Sequence, residues 1–248
     1  MDRPGDLEGN RLLAALADAD QRRWAQHLER VDLRPGQVLC EAGQPLTHAY
    51  FPTSAVASLL HMTAEGTSTA FAAVGSDGLV GTSIILKADI ETCIGAVLVA
   101  GQGLRIPAAA IQDEFDQHEP VRTLLLRYTQ ALVTQIAHAA VCYRNHTVDQ
   151  QVCGWLLYLL YLRPGNGIVM TQELLASVLG VRRESVALST GRLRAGGLIR
   201  YTRGEIAILD RVGLERRSCG CHLTVITEYD RLLGQPTAAA PGSQADEP

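Results

Sequence analysis

"TQELLASVLGVRRESVALSTGRL", residues 171–193, reads as two short helices meeting at a tight turn. Thr171 can cap the first helix, because its hydroxyl can accept one of the amide hydrogens that a helix start leaves free. Leu175, Ala176 and Leu179 then share an inner face, with Ala176 small where two helices must cross closely. Gly180 supplies the permissive backbone of the turn, and Val181 and Val186 face inward after it. Arg182, Arg183, Glu184, Ser185 and Leu188 are left outside. This is helix-turn-helix spacing, with the polar start of the second helix free to enter a major groove.

Charge supports that placement. Residues 181–203 hold six arginines (Arg182, Arg183, Arg192, Arg194, Arg200 and Arg203) against the single acid Glu184. The 248-residue chain carries −4 overall, so this stretch at +5 leaves −9 for the remainder. A protein that binds nucleic acid or membrane over its whole surface is excluded, and any such role is local. Arginine can bond bidentately to guanine and glutamate can accept from cytosine, which suits Arg183 and Glu184 to base edges. Thr171, Arg182 and Ser185 suit phosphate oxygens, which set register without reading sequence. "GLIRYTRGEIAIL" (197–209) reads as two strands around Thr202–Glu205, a hairpin wing carrying Arg200 and Arg203 along the backbone. An arginine-rich helix alone would read as a solvated surface. Helix, glycine turn, Arg-Arg-Glu helix and basic hairpin in that order point to double-stranded DNA. The rival class is a regulatory module whose helix-turn-helix docks a protein, a partner that would not require concentrated positive charge.

Upstream the grammar differs. Residues 10–30 fit two short amphipathic helices, broken near Asp18–Asp20, where an aspartate can cap the second. From 31 to about 107, short apolar runs alternate with turn signals such as Pro35-Gly36, Pro52-Thr53-Ser54, Glu65-Gly66 and Gly75-Ser76-Asp77-Gly78. That rhythm predicts an antiparallel β-barrel or β-roll. Residues 121–144 form a long helix whose apolar residues recur every three or four positions. The stripe is wider than one packed face needs, so we expect it to pair with a second copy through Val121, Leu125, Tyr128, Leu132, Ile136 and Ala139. A further helix over 147–162 ends at the breaker Arg163-Pro164-Gly165-Asn166-Gly167, and residues 235–248 have the composition of a disordered tail. The fold class is α+β: a β-roll sensor with N-terminal helices (1–117), a long dimerisation helix (118–146), a winged helix-turn-helix (147–234) and the tail (235–248).

Other functions are disfavoured. The most apolar run, "VCGWLLYLLYL" (152–162), has 11 residues, too few to span a bilayer. No secretory signal is visible, so a cytoplasmic protein with free thiols is expected. "SCGCHL" (218–223) groups Cys219, Cys221 and His222, but structural zinc wants four ligands at more open spacings. Ordinary packing is the expectation there, with no metal and no cofactor. Ser54, Ser83 and His61 are scattered and assemble no nucleophile with its base, so the chain does not read as an enzyme.

The stretch 171–193 resembles the winged helix-turn-helix of the Crp/Fnr family of bacterial transcription regulators, most specifically at Arg183-Glu184-Ser185-Val186. "VDLRPGQVLCEAGQP" (31–45) and "HAYFPTSAVASLL" (48–60) resemble that family's cyclic-nucleotide-binding-like jelly roll, and the likeness runs over about residues 10–232. It implies a homodimer on a palindromic operator, with Arg183 and Glu184 as base readers and Thr171, Arg182 and Ser185 on the backbone. Leu188 stands where some members carry a second base-reading arginine and could touch a thymine methyl. Members that bind cyclic AMP hold it with a glutamate just after a glycine and an Arg-Ser pair further on. Here Thr82 follows Gly81, and 88–97 contain no arginine. Cyclic AMP is therefore not the expected effector, and an unknown small-molecule effector, if the roll takes one at all, is unassigned.

Overall fold

A computed structural model describes residues 4–64, 66, 68–88, 90–163 and 167–234. The tail 235–248, Pro164 to Asn166 of the expected breaker and Glu65 of an expected turn lie outside them. A 3₁₀ turn over Pro4–Gly9 leads into α1 (Arg11–Ala14) and α2 (Asp18–Trp24). Asn10 caps α1 by accepting from Leu12 and Leu13 N–H, while its amide donates to the carbonyls of Pro52 and Gly78. The expected aspartate cap of α2 is not formed. Ala17 holds that position without a side-chain bond, and Asp18 and Asp20 lie in the first turn, where they oppose the positive end of the helix.

The roll follows: β1 (Glu29–Leu33), β2 (Val38–Cys40), β3 (His48–Pro52), β4 (Val56–Met62), β5 (Ser68–Val74), α3 (Thr82–Ile85), β6 (Ile94–Val99) and β7 (Gly101–Pro107). Its strands pair antiparallel in two sheets, ordered β1-β7-β3 and β2-β6-β4-β5. Alternation along β3 sends Ala49 and Phe51 inward, and Trp24 of α2 meets the Phe51 ring edge-on at 5.8 Å. Then come α4 (Ala108–Gln117), α5 (Glu119–Asn145) and α6 (Val148–Leu162), the last opened by a capping box between Thr147 and Gln150. The C-terminal part adds β8 (Gly167–Val169), α7 (Gln172–Leu179), α8 (Arg183–Ala195), β9 (Ile199–Thr202), β10 (Glu205–Ile208), α9 (Arg211–Arg217) and α10 (Cys221–Leu233). A third sheet runs β8-β10-β9, and its outer strand β8 has no counterpart among the strands expected from the sequence. Among the described residues no helix is long and apolar enough to cross a membrane.

Helix α5 has 27 residues, about 40 Å of rod. Its stripe is buried, but not as expected. Val121, Leu125, Tyr128 and Leu132 are all 5% exposed or less within the single chain, covered by the roll on one side and α10 on the other. Tyr128 donates to Leu79 O (2.7 Å), Gln135 to Ala73 O (3.1 Å) and Tyr143 to Ala70 O (2.8 Å). From α10, Tyr229 donates to Gln135 Oε1 at 3.1 Å. Periodicity reports that a face is covered; it does not report by what. These four residues therefore leave the expected seam, while Ile136 and Ala139 stay partly exposed at its margin. A different row lies open on the far side: Leu126, Gln130, Val133, Ala137 and Ala140, spaced four, three, four and three, with Val141 beside it.

Where α5, α6 and the roll meet, Asp77 is buried with Gly75 N–H donating to its carboxylate at 3.2 Å. Burial pushes its carboxyl up from 3.8 to about 6, against the opposing pull of that amide and of Arg11. Between those values the folded chain holds a proton that the unfolded chain has lost. Stability contributed at this position is present below about pH 4 and falls as pH rises to about 6, by about 3 kcal/mol. Asp77→Asn cannot lose a proton, so its urea midpoint should gain on wild type across that window. A constant difference between the two proteins from pH 4 to 7 would show that Asp77 does not titrate this way.

Candidate nucleic-acid interface

The interface is built on α7, α8 and the β9–β10 hairpin. Thr171 caps α7 by accepting from Leu174 N–H at 3.1 Å. Gly180 closes it with φ +64, a left-handed conformation that costs a side-chain-bearing residue about 1–2 kcal/mol. Leu175, Ala176 and Leu179 are buried against Val186 and Leu193 of α8. Gln172 adds a polar tie, donating to Thr190 Oγ1 at 2.9 Å, and Thr190 in turn donates to Val186 O. Val181 is half-buried at the turn.

Helix α8 starts at Arg183, with Arg182 in the capping position. Arg182, Arg183 and Glu184 are exposed, Ser185 is half-buried, and Leu188 is 62% exposed one turn beyond Glu184. The exposed leucine lacks any partner in the core, which suits a surface that meets something else. Arg192 bonds Asp149 of α6 at 2.8 Å and so helps to dock α8. Among the described residues Arg182, Arg183, Arg194, Arg200 and Arg203 have no acidic partner, and all five are exposed.

The wing pairs Ile199–Thr202 with Glu205–Ile208 around a two-residue turn. Its tip is Arg203, with φ +50, and Gly204. Hairpin turns of this kind favour asparagine or glycine first, so an arginine there is locally unfavourable. The tip is anchored from behind: Met170 N–H donates to Gly204 O at 2.7 Å, and the Tyr201 hydroxyl accepts from Gln172 N–H at 3.2 Å. Positive charge is thus held on a fixed edge beside the start of α7.

The unit also touches the roll. Ser177 of α7 lies 2.8 Å from Ser68 of β5, oxygen to oxygen, and a methyl group at Gly180 would fall 2.7 Å from Thr69 Oγ1. The helix-turn-helix turn and the roll edge are in direct contact.

Residues 150–217 match the family model described as a Crp-like helix-turn-helix domain. This stretch carries a Crp-like helix-turn-helix. No curated protein matches the chain by sequence. Its fold is similar to that of FixK2 from Bradyrhizobium japonicum, with a TM-score of 0.68 at 12% identity over 77% of this chain and 98% of that one. A Crp/Fnr-family transcriptional regulator from Thermus thermophilus aligns with a TM-score of 0.63 at 18% identity, covering 77% and 98%. The c-di-GMP-responsive global regulator CLP of Xanthomonas campestris aligns at 0.61 and 15%, covering 77% and 99%. At these identities the likeness is one of fold.

Proposed function

We propose that the regulator binds a palindromic operator as a homodimer, with Arg183, Glu184 and Leu188 at base edges and Thr171, Arg182, Ser185, Arg200 and Arg203 on the backbone. The observation that carries this reading is the set of five exposed arginines without an acidic partner among the described residues, gathered within residues 182–203 of a chain whose net charge is −4. Phosphate neutralisation by such residues supplies affinity, and the first turn of α8 supplies discrimination. Thr171 spends its lone pair on Leu174 N–H, which leaves its hydroxyl hydrogen for a phosphate oxygen.

In gel shifts, Arg183→Ala should lose about 1–3 kcal/mol on the operator and relax preference at one base pair per half-site. Arg203→Gly should weaken all duplexes alike and flatten the salt dependence, while relief of the strained turn raises the thermal midpoint. Equal losses by both variants on operator and random DNA would contradict the division between base reader and phosphate contact.

The copies would meet along the open row of α5. Leu126, Gln130, Val133, Ala137 and Ala140 have coiled-coil spacing, and the two alanines let helices approach closely. Leu126 and Val133 are 47% and 53% exposed. Val133→Glu should leave each chain folded, because its side chain touches no core, yet place two like charges across the seam. Sedimentation should then report monomers, and operator affinity should collapse. A variant that remains dimeric would place the seam elsewhere.

The roll is not proposed to bind cyclic AMP. In the region that faces a cyclic phosphate in the resembled family, Glu91 is 5% exposed and already occupied. Ser83 Oγ donates to one carboxylate oxygen at 2.8 Å, and Thr92 N–H donates to the other at 2.9 Å. A phosphate entering there would displace those bonds and meet a buried carboxylate instead of an arginine. Calorimetric titration with cyclic AMP or cyclic GMP should show no heat of binding at micromolar concentration. A one-to-one micromolar complex would overturn this.

A further inference from the structure

The end of α5 meets the turn between α9 and α10. Cys142 and His146 lie one helical turn apart at the close of α5, and Cys219 and Cys221 flank Gly220 at the start of α10. One ligand atom from each of the four comes within 4.8 Å of all the others. Cys142 Sγ is 3.6 Å from Cys219 Sγ, and Cys221 Sγ is 3.6 Å from His146 Nδ1.

Those separations are those of a coordination sphere. Bonds of about 2.3 Å to sulphur and about 2.0 Å to nitrogen, set at tetrahedral angles, put ligand atoms roughly 3.5–3.8 Å apart. A disulfide requires about 2.05 Å between its sulphurs, well inside the observed contact, and would leave Cys221 and His146 unused. A two-iron cluster places the ligands of its two metals on opposite sides, farther apart than this group allows. The donors converge on one ion.

The surroundings favour it too. The carbonyl end of α5 carries partial negative charge and attracts a cation, while thiolates sit well at the amide end of α10. Gln151 of α6 donates to His146 O at 2.8 Å, which fixes the helix end that bears two of the ligands. Gly220, at φ +76, makes the bend that turns both flanking sulphurs to one side. His222, the histidine adjacent in sequence, is not among the four and lies buried. We propose that Cys142, His146, Cys219 and Cys221 form a tetrahedral site for a divalent cation of the zinc class, tying the end of α5 to the start of α10. Three thiol protons leave to solvent as the metal binds, and histidine coordinates as the neutral imidazole. The ion joins the helix that contacts the roll to the helix-turn-helix domain's last helix.

Cobalt(II) is the probe. Full-length protein, reduced and stripped by chelator, should take up one cobalt per chain. The intense visible bands of tetrahedral cobalt thiolate should appear and be bleached by added zinc. Cys219→Ser and Cys221→Ser should each weaken uptake by roughly tenfold or more, and Cys93→Ala, remote in the roll, should not. Cys221→His keeps a four-donor set and should retain a tetrahedral spectrum with weaker sulphur-to-metal charge transfer. Zinc should raise the thermal midpoint of wild type and leave that of Cys221→Ser almost unmoved. No cobalt uptake, a weak octahedral spectrum, or undiminished uptake by Cys219→Ser would overturn the proposal, as would a Cys142–Cys219 disulfide forming without metal uptake.

Discussion

Three side chains of α5, Tyr128, Gln135 and Tyr143, donate to backbone carbonyls of the roll, and the rest of the architecture depends on that clamp. Each bond is worth only about 1 kcal/mol net, yet losing the donor from a buried carbonyl costs more. Together with Leu125 and Leu132 they fix the rotation of a 27-residue rod. That rotation decides which residues the rod spends on its own chain and which it leaves for another. It also sets where the rod ends, and hence where Cys142 and His146 meet the C-terminal domain.

The clamp joins two surfaces along one strand of the roll. One edge of β5 accepts from α5 through Ala70 and Ala73, and at Ser68 and Thr69 it abuts the turn of the helix-turn-helix. A change in the roll that shifts this strand would move both the rod and the DNA-reading unit. Helix α10 closes the circuit, with Tyr229 bonded to the same Gln135 that holds the strand. Roll, rod and reading head share one continuous core.

The parts readable in the sequence are those governed by local rules. Thr171, Gly180 and Val186 announce a capped helix, a left-handed turn and a buried second helix within 16 positions, and each does as its chemistry requires. The wing is equally plain around Arg203-Gly204. What escapes depends on neighbours distant in the chain. The stripe Val121 to Leu132 reads as a seam because periodicity cannot tell a roll from a second copy. Strand β8 is three residues long, below what alternation can mark. Cys219 and Cys221 stand out in the sequence, but their companions lie more than 70 residues away, and the adjacent His222 draws attention from them. Glu91 gives no signal at all, since only the fold brings Ser83 to its carboxylate.

The central claim is that two copies of this chain present the start of α8 to successive turns of one duplex. Selection of bound sequences from a random duplex pool by the full-length protein tests it most directly. The account predicts enrichment of an inverted repeat whose half-site centres lie about 10 base pairs, one helical turn, apart. Enrichment of a single unrepeated site, or of no sequence, would contradict it.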